Sequence, residues 1–296
     1  MATEPVLTWS PSDVALIERT DAVLRDVLDD AADEIGSADP TAEVLVEEIR
    51  RLVIAGGKRL RPTFCYWGFR AGAGIDGPAI VRAGAAIELL HTMALIHDDL
   101  IDEAEERRGV PTSRRRMAEE AEARGWGDPD RFGAAGALLA GDLAAVLADA
   151  VLATSGFDDG ALRRAASPFR RMRFEMAAGQ VLEMAGGRGP SETAAEAAVA
   201  ARLKGGSYSV EGPLAVGAAL AGADESVAST LAAYGRPLGE AFQLRDDLLD
   251  ADAAEGVSPT TVNGLVDEAR AALAGSSLPD EAAEALQRLA GLLRMP

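Results

Sequence analysis

Along this chain apolar residues recur at three- and four-residue intervals, the period of a helix face, and show no sustained two-residue alternation of a half-buried strand. Val14, Ile17, Val23, Leu24 and Leu28 lay one apolar stripe over residues 13–32. Pro40-Thr41 opens a second helix through Leu45, Val46, Ile49, Leu52 and Val53, and Gly56-Gly57 stops it. Pro62 favours the first turn of a third helix, and residues 72–78 read as a loop. From Ile87 to Asp102 neither Gly nor Pro interrupts the run, and Ile87, Leu90, Ala94 and Ile101 mark one helical face. Further helices are expected over 134–153, 162–184 (with Pro168 either starting or kinking it), 194–203, 210–220, 231–250 and onward from Val262. Gly205-Gly206-Ser207 is a run of small residues that would permit a kink. The expected fold is all-α, a single domain over 1–296.

Composition agrees. Aromatics make up only 4% of the 296 residues and 48% are apolar, which favours close-packed helices around a sizeable core. The net charge of −19, with Lys58 and Lys204 as the only lysines, argues against nucleic acid as a partner. Any anionic ligand then needs a local cluster of basic residues or a bridging cation. The single cysteine, Cys65, lies in the apolar run Thr63-Phe-Cys-Tyr-Trp67 and reads as a buried structural thiol. Residues 1–7 lack a basic stretch followed by an apolar core, and no uninterrupted apolar run is long enough to span a bilayer. The expectation is a soluble cytoplasmic protein without membrane insertion.

The candidate chemistry stands at the ends of two helical runs. His97-Asp98-Asp99-Leu-Ile-Asp102 closes the first, and Phe242-Gln243-Leu-Arg-Asp246-Asp247-Leu-Leu-Asp250 repeats its Asp-Asp-x-x-Asp pattern. At about 100° per residue, Asp98 and Asp102 project roughly 40° apart from one face, with Asp99 on the flank. One such cluster alone reads as a solvated acidic face. Two facing each other across a bundle would form a set of hard oxygen donors suited to Mg²⁺, which takes one or two carboxylates plus waters and substrate phosphates. The basic turn Lys58-Arg59-Leu-Arg61 has two readings: it complements the negative C-terminus of the preceding helix, or it donates to phosphate oxygens. Glu88 and His91 have the spacing used in di-iron bundles, but no second Glu-x-x-His pair exists.

These pieces together resemble the trans-isoprenyl diphosphate synthases, the polyprenyl synthetase family. The resemblance rests on the two aspartate clusters and, in order, on Gly56-Gly57-Lys58-Arg59-Leu60-Arg61-Pro62, His91, Arg107-Arg108-Gly109, Gly141-Asp142, Gly179-Gln180, Lys204 and Phe242-Gln243. It implies a helical bundle with a central cavity and condensation of isopentenyl diphosphate with an allylic diphosphate (dimethylallyl, geranyl or farnesyl). It further implies Mg²⁺, three ions held by Asp98, Asp102 and Asp246 with Asp99, Asp247 and Asp250 in support. Arg107, Lys204 and Gln243 are then expected on the allylic diphosphate, and Lys58, Arg61, His91 and Arg108 on isopentenyl diphosphate, with Gly57 and Phe242 lining the substrate. The family's usual assembly is a homodimer. Met93 and Ala94, where relatives that make shorter products carry aromatic rings, suggest a C15 to C20 product, leaning to C20.

The pattern departs from the family after Asp250. Relatives continue with a Gly-Lys pair and a second lysine, whereas here Ala251-Asp-Ala-Ala-Glu-Gly256 leads almost directly to Val262, and no lysine follows Lys204. A class I terpene cyclase and a non-catalytic subunit of a heteromeric synthase are the competing readings. Cyclases normally lack the Lys58–Arg61 turn and replace the second cluster, and non-catalytic subunits usually lose aspartates from one cluster.

Overall fold

The computed structural model describes residues 9–107, 109–186, 199, 202–250 and 257–296, and only the backbone at Lys204 and Asp250. The described residues are 81% helical. They form α1 (Pro11–Ala38), α2 (Glu43–Ile54), α3 (Leu60–Ala71), α4 (Pro78–Ile101), α5 (Ser113–Arg124), α6 (Pro129–Ala153), α7 (Asp159–Gly186), a π-helical run (Arg202–Glu211) continuing into α8 (Gly212–Ala221), α9 (Glu225–Asp250), α10 (Pro259–Ala272) and α11 (Asp280–Gly291). The all-α expectation holds. The expected helix over 194–203 and the shortened stretch after Asp250 fall mainly on residues outside the described ones, as does Arg108.

Local chemistry sets the boundaries. Asp128 caps α6 by accepting from the Arg131 N–H, and Pro129 takes the first helical position, so this helix starts five residues earlier than its apolar pattern suggests. Ser258 and Thr261 form a reciprocal capping box on α10. Helix α3 begins at Leu60 rather than Pro62, since proline is tolerated anywhere in the first turn. Pro168 and Pro237 lie inside α7 and α9. The kink expected at Gly205-Gly206 is a ten-residue π-helical run, a wider winding of the kind that recurs at functional sites. Among the described residues the strand pairing is a single two-residue antiparallel one, Glu106–Arg107 with Val110–Pro111, which turns the chain back after α4.

The chain divides into two compact units. One comprises Ala15–Arg59 and Val81–Ser155. Here α6 packs on α5 and α2, with Ala137, Ala140, Ala144 and Ala148 fully buried. Small side chains on this stripe let helix backbones approach closely, which explains the abundance of alanine. The other unit comprises Met1–Val14, Leu60–Ile80 and Gly156–Pro296. Its core joins α3, the π-helical run, α8, α9, α10 and α11 through Phe64, Trp67, Leu214, Tyr234, Leu238, Val266 and Leu286. Helices α3 and α8 touch backbone to backbone, where a methyl on Gly68 or Gly217 would run into the Leu214 or Cys65 carbonyl. Cys65 is fully buried in this contact, and burial pushes its thiol up to about 12; it is the structural thiol expected.

Two helices, α4 and α6, do reach the length and apolarity of a membrane span, which corrects the expectation that none would. In α4, 72% of that apolar window is buried within the protein, as befits a core helix.

Candidate active site

In the unit of residues 15–59 and 81–155, the first aspartate cluster ends α4. Asp98 and Asp99 lie in its last turn and Asp102 lies exposed just beyond, its N–H still bonded to the Asp98 carbonyl at 2.9 Å. The short hairpin after α4 folds Arg107 back over them. Its Nη2 donates to Asp98 Oδ2 at 2.8 Å and its Nε to Asp99 Oδ1 at 2.6 Å. Asp99 is the most buried of the three, with 6% of its side chain exposed against 20% for Asp98. Burial raises the Asp99 pKa, and the Arg107 bonds oppose the rise without cancelling it. A guanidinium bonded to two adjacent carboxylates offsets their mutual repulsion. Sequence reasoning placed Arg107 on substrate; here it lies on the aspartates.

The ring of His97 lies against Gly141 of α6, where a side chain would collide with the imidazole. His97 Nε2 is 3.3 Å from the Leu138 carbonyl and 3.8 Å from Asp142. The Gly141-Asp142 pair thus seats the end of α4 by leaving room for a ring.

The basic turn follows α2. Gly57 is exposed and Lys58 half-buried, while Arg59 is 5% exposed with a left-handed φ of 47°. Arg59 donates to Glu88 Oε1 and to the Val53 carbonyl, each at 2.6 Å, and to Asp21 Oδ1 at 2.8 Å. Burial opposes the Arg59 charge, but Glu88 and Asp21 outweigh it and raise its pKa. The Glu88 carboxylate is therefore committed to an arginine, an arrangement that disfavours a di-iron pair with His91. His91 itself is half-buried on α4, one turn after Glu88. The sequence reading took Arg59 only as one member of a basic turn facing a helix end or phosphate; nothing in its local pattern marks it as the one that turns inward to Glu88.

In the other unit, the second cluster ends α9. Asp247 accepts from Gln243 Nε2 at 2.7 Å, and Gly205 of the π-helical run leaves space for the Gln243 amide. Arg245 is 1% exposed, with Nη1 3.8 Å from Asp246 Oδ1; Nη2 has no hydrogen-bond partner among the described residues. Arg61 donates to Ser209 Oγ at 2.7 Å, with its guanidinium 5.3 Å from the Tyr208 ring and 5.9 Å from that of Phe242. Arg61 and Phe242, 181 positions apart in sequence (242 − 61), are thereby neighbours. Lys204 lies in the π-helical run and Asp250 at the end of α9; their side chains lie outside the described set.

Among the described residues no three Asp, Glu, His or Cys side chains converge as a ready-made metal cage. Asp98 and Asp99 in the last turn of α4 and Asp246 and Asp247 at the end of α9 carry hard carboxylate oxygens, the donor type that Mg²⁺ takes together with waters and substrate oxygens.

A sequence model described as polyprenyl synthetase matches residues 42–289. A geranylgeranyl diphosphate synthase of Methanosarcina mazei is 33% identical over 215 residues, 73% of this chain and 61% of the relative. A nonaprenyl diphosphate synthase of Mycobacterium tuberculosis is 31% identical over 211 residues, 71% of this chain and 56% of the relative. The matches thus span about three fifths of the lengths of these relatives. A solved geranylgeranyl pyrophosphate synthase of Corynebacterium glutamicum, complexed with isoprenyl diphosphate and magnesium, superposes with a TM-score of 0.87 at 27% identity, covering 94% of this chain and 98% of that one. The chain belongs to the polyprenyl synthetase family.

Proposed function

We propose that this chain is a Mg²⁺-dependent trans-prenyltransferase that condenses isopentenyl diphosphate with an allylic diphosphate to a short trans-polyprenyl diphosphate. The observation that carries the reading is the pair of Asp-Asp-x-x-Asp clusters, each ending a long helix, in a chain that matches the family over 42–289. The similarity to a synthase solved with isoprenyl diphosphate and magnesium supports the same chemistry.

In this reading Asp98, Asp102 and Asp246 hold Mg²⁺, three ions per site, with Asp99, Asp247 and Asp250 in support. Bound Mg²⁺ supplies neutralisation of charge on the leaving diphosphate. Lys204, Gln243 and Arg107 hold the allylic diphosphate. Lys58, Arg61, His91 and Arg108 hold isopentenyl diphosphate, with its double bond toward the allylic carbon. That carbon forms its new bond as the C–O bond breaks, and the departed diphosphate accepts the final proton. No protein side chain then needs a pKa tuned to the reaction.

Met93 and Ala94 on α4 carry no ring, and Leu90 is fully buried beneath them; they support a C15 to C20 product, with C20 favoured. We further propose one synthase domain over 1–296, cytoplasmic, acting as a homodimer. An apolar face on α6, with Leu138, Leu139 and Val146 exposed at 47%, 53% and 60%, supports a second copy as its cover.

The test is incubation with Mg²⁺, labelled isopentenyl diphosphate and C5, C10 or C15 allylic diphosphates, reading product length by chromatography. A product of C15 to C20 that is lost in Asp98→Ala and Asp246→Ala is the expected result. Conversion of the allylic diphosphate without incorporation of isopentenyl diphosphate would assign a cyclase instead, and no turnover of any primer by folded protein would overturn the reading.

A further inference from the structure

The turn Gly56–Arg59 is held in a conformation that its residues do not favour, by a buried arginine that no step of the proposed reaction uses. Arg59 has φ of 47°, a left-handed backbone unfavourable for any residue with a Cβ. Such a conformation persists only where the surroundings over-determine it. Here they do so through one guanidinium with three acceptors on three segments: Asp21 on α1 at 2.8 Å, the Val53 carbonyl at the end of α2 at 2.6 Å, and Glu88 on α4 at 2.6 Å. The side chains of Arg59 and Glu88 are only 4% and 8% exposed.

A buried ion pair is weak support for stability, because removing both charges from water costs about what their attraction returns. Its geometry is a different matter. The fork of Arg59 ties the residue after Lys58 to the residue one helical turn before His91, on α4. Gly57 lies beside this pair, with Arg59 Nη1 and Glu88 Oε1 at 3.4 and 3.8 Å from where a Cβ would stand, ordinary contact distances.

We infer that Arg59 is a positioning residue, whose clamp to Glu88, Asp21 and the end of α2 sets Lys58 and His91 relative to each other for one diphosphate. The inference rests on the proposed function in taking that diphosphate to be isopentenyl diphosphate. A lysine at 59 keeps the charge but cannot span three acceptors in one plane, so charge and geometry are separable.

The experiment uses the full-length protein and the variants Arg59→Lys, Arg59→Met and Glu88→Gln. Two readouts are taken on each: KM for isopentenyl diphosphate and for the allylic primer separately, and amide hydrogen exchange over residues 55–60. The expected result is a rise in KM for isopentenyl diphosphate of about 10- to 100-fold. The allylic KM and kcat should change little, no rescue should come from Arg59→Lys, and exchange in the turn should be faster. Unchanged KM for isopentenyl diphosphate in a folded variant would overturn the inference. So would a parallel loss in both KM values and kcat, the signature of a merely structural role. If the unaltered protein consumes no isopentenyl diphosphate, the proposed function fails, and exchange still decides the clamp: unchanged protection of the turn in Arg59→Met and Glu88→Gln refutes it, and faster exchange upholds it.

Discussion

The two aspartate clusters share a sequence pattern but not a means of bearing their charge. At the end of α4, Asp98 and Asp99 are bonded by Arg107, which a two-residue hairpin returns from eight positions downstream of Asp99. At the end of α9, the adjacent residue Arg245 is 1% exposed, with its Nη1 3.8 Å from Oδ1 of Asp246, which is 36% exposed. The first counter-charge is shared by two carboxylates; the second is almost entirely enclosed and, among the described residues, makes one long ion pair. The glycines beneath the clusters differ in parallel, Gly141 making room for the His97 ring and Gly205 for the Gln243 amide. A repeated motif therefore specifies where carboxylates stand along a helix, whereas the burial of each and its partners depend on what packs beside that helix.

The largest test asks whether the clusters are equivalent in the reaction despite this difference. Asp98→Ala and Asp246→Ala are each expected to lower kcat by about a hundredfold to a thousandfold, the range for losing a preorganised stabiliser of developing charge. If only Asp98→Ala had this effect, the clusters would not share the metal role, and steady-state turnover with Mg²⁺ would show it.

Next in size are the glycines. Gly141→Ala forces the His97 ring to move and is expected to destabilise by about 1–3 kcal/mol, the cost of overpacking a close contact. Gly205→Ala is expected to cost less, since the terminal amide of Gln243 rotates more readily than a ring. Urea denaturation of both variants ranks them, and the reverse order would sink the argument.

The arginines should differ in sign. Arg107→Met leaves Asp99 buried without its partner and is expected to destabilise by about 1–2 kcal/mol, reduced from a buried pair's value because 38% of the Arg107 side chain is exposed. Arg245→Met replaces an enclosed guanidinium by an apolar chain of similar length and is expected to leave stability unchanged or raise it by about 1 kcal/mol. A loss of stability in Arg245→Met equal to that in Arg107→Met would show that both arginines bear their clusters alike.

The smallest effect concerns the π-helical run beside α9. Burial, and after it the Glu211 carboxylate, raises the Glu175 pKa above its ordinary 4.5, while a bond from Ser207 of the run opposes the rise. A carboxyl that binds its proton more tightly when folded contributes stability below about pH 4.5, and that contribution is lost as pH rises through the raised value. Glu175→Gln should therefore gain on the unaltered protein as pH rises from about 4 to 8, as read from urea midpoints. A constant difference across that range would show that Glu175 does not titrate there.

Much of this was legible in the amino-acid order because its cause is local. Helix periodicity, the loop before α4 and the two Asp-Asp-x-x-Asp clusters all depend on neighbours within about four positions; the Asp128-Pro129 cap of α6 is as local, but the apolar pattern read for that helix starts only at Ala134. The family resemblance added roles for Lys58, Arg61, His91 and Gln243 that spacing alone leaves open. Glu88 shows the limit: its place three residues before His91 is visible in the sequence, but its partner is Arg59, 29 positions earlier.

By itself, then, the sequence determined a helical chain, the carboxylates that end two of its helices and the short list of cations able to meet phosphate. Only the tertiary structure decided which charges are spent on one another. It brought Arg107 onto Asp98 and Asp99, Arg59 onto Asp21 and Glu88, and Arg61 beside Phe242 and Ser209, and it enclosed Arg245. The physical reason is range: backbone periodicity acts over one helical turn, while desolvation and ion pairing act between whatever surfaces the packed helices bring together.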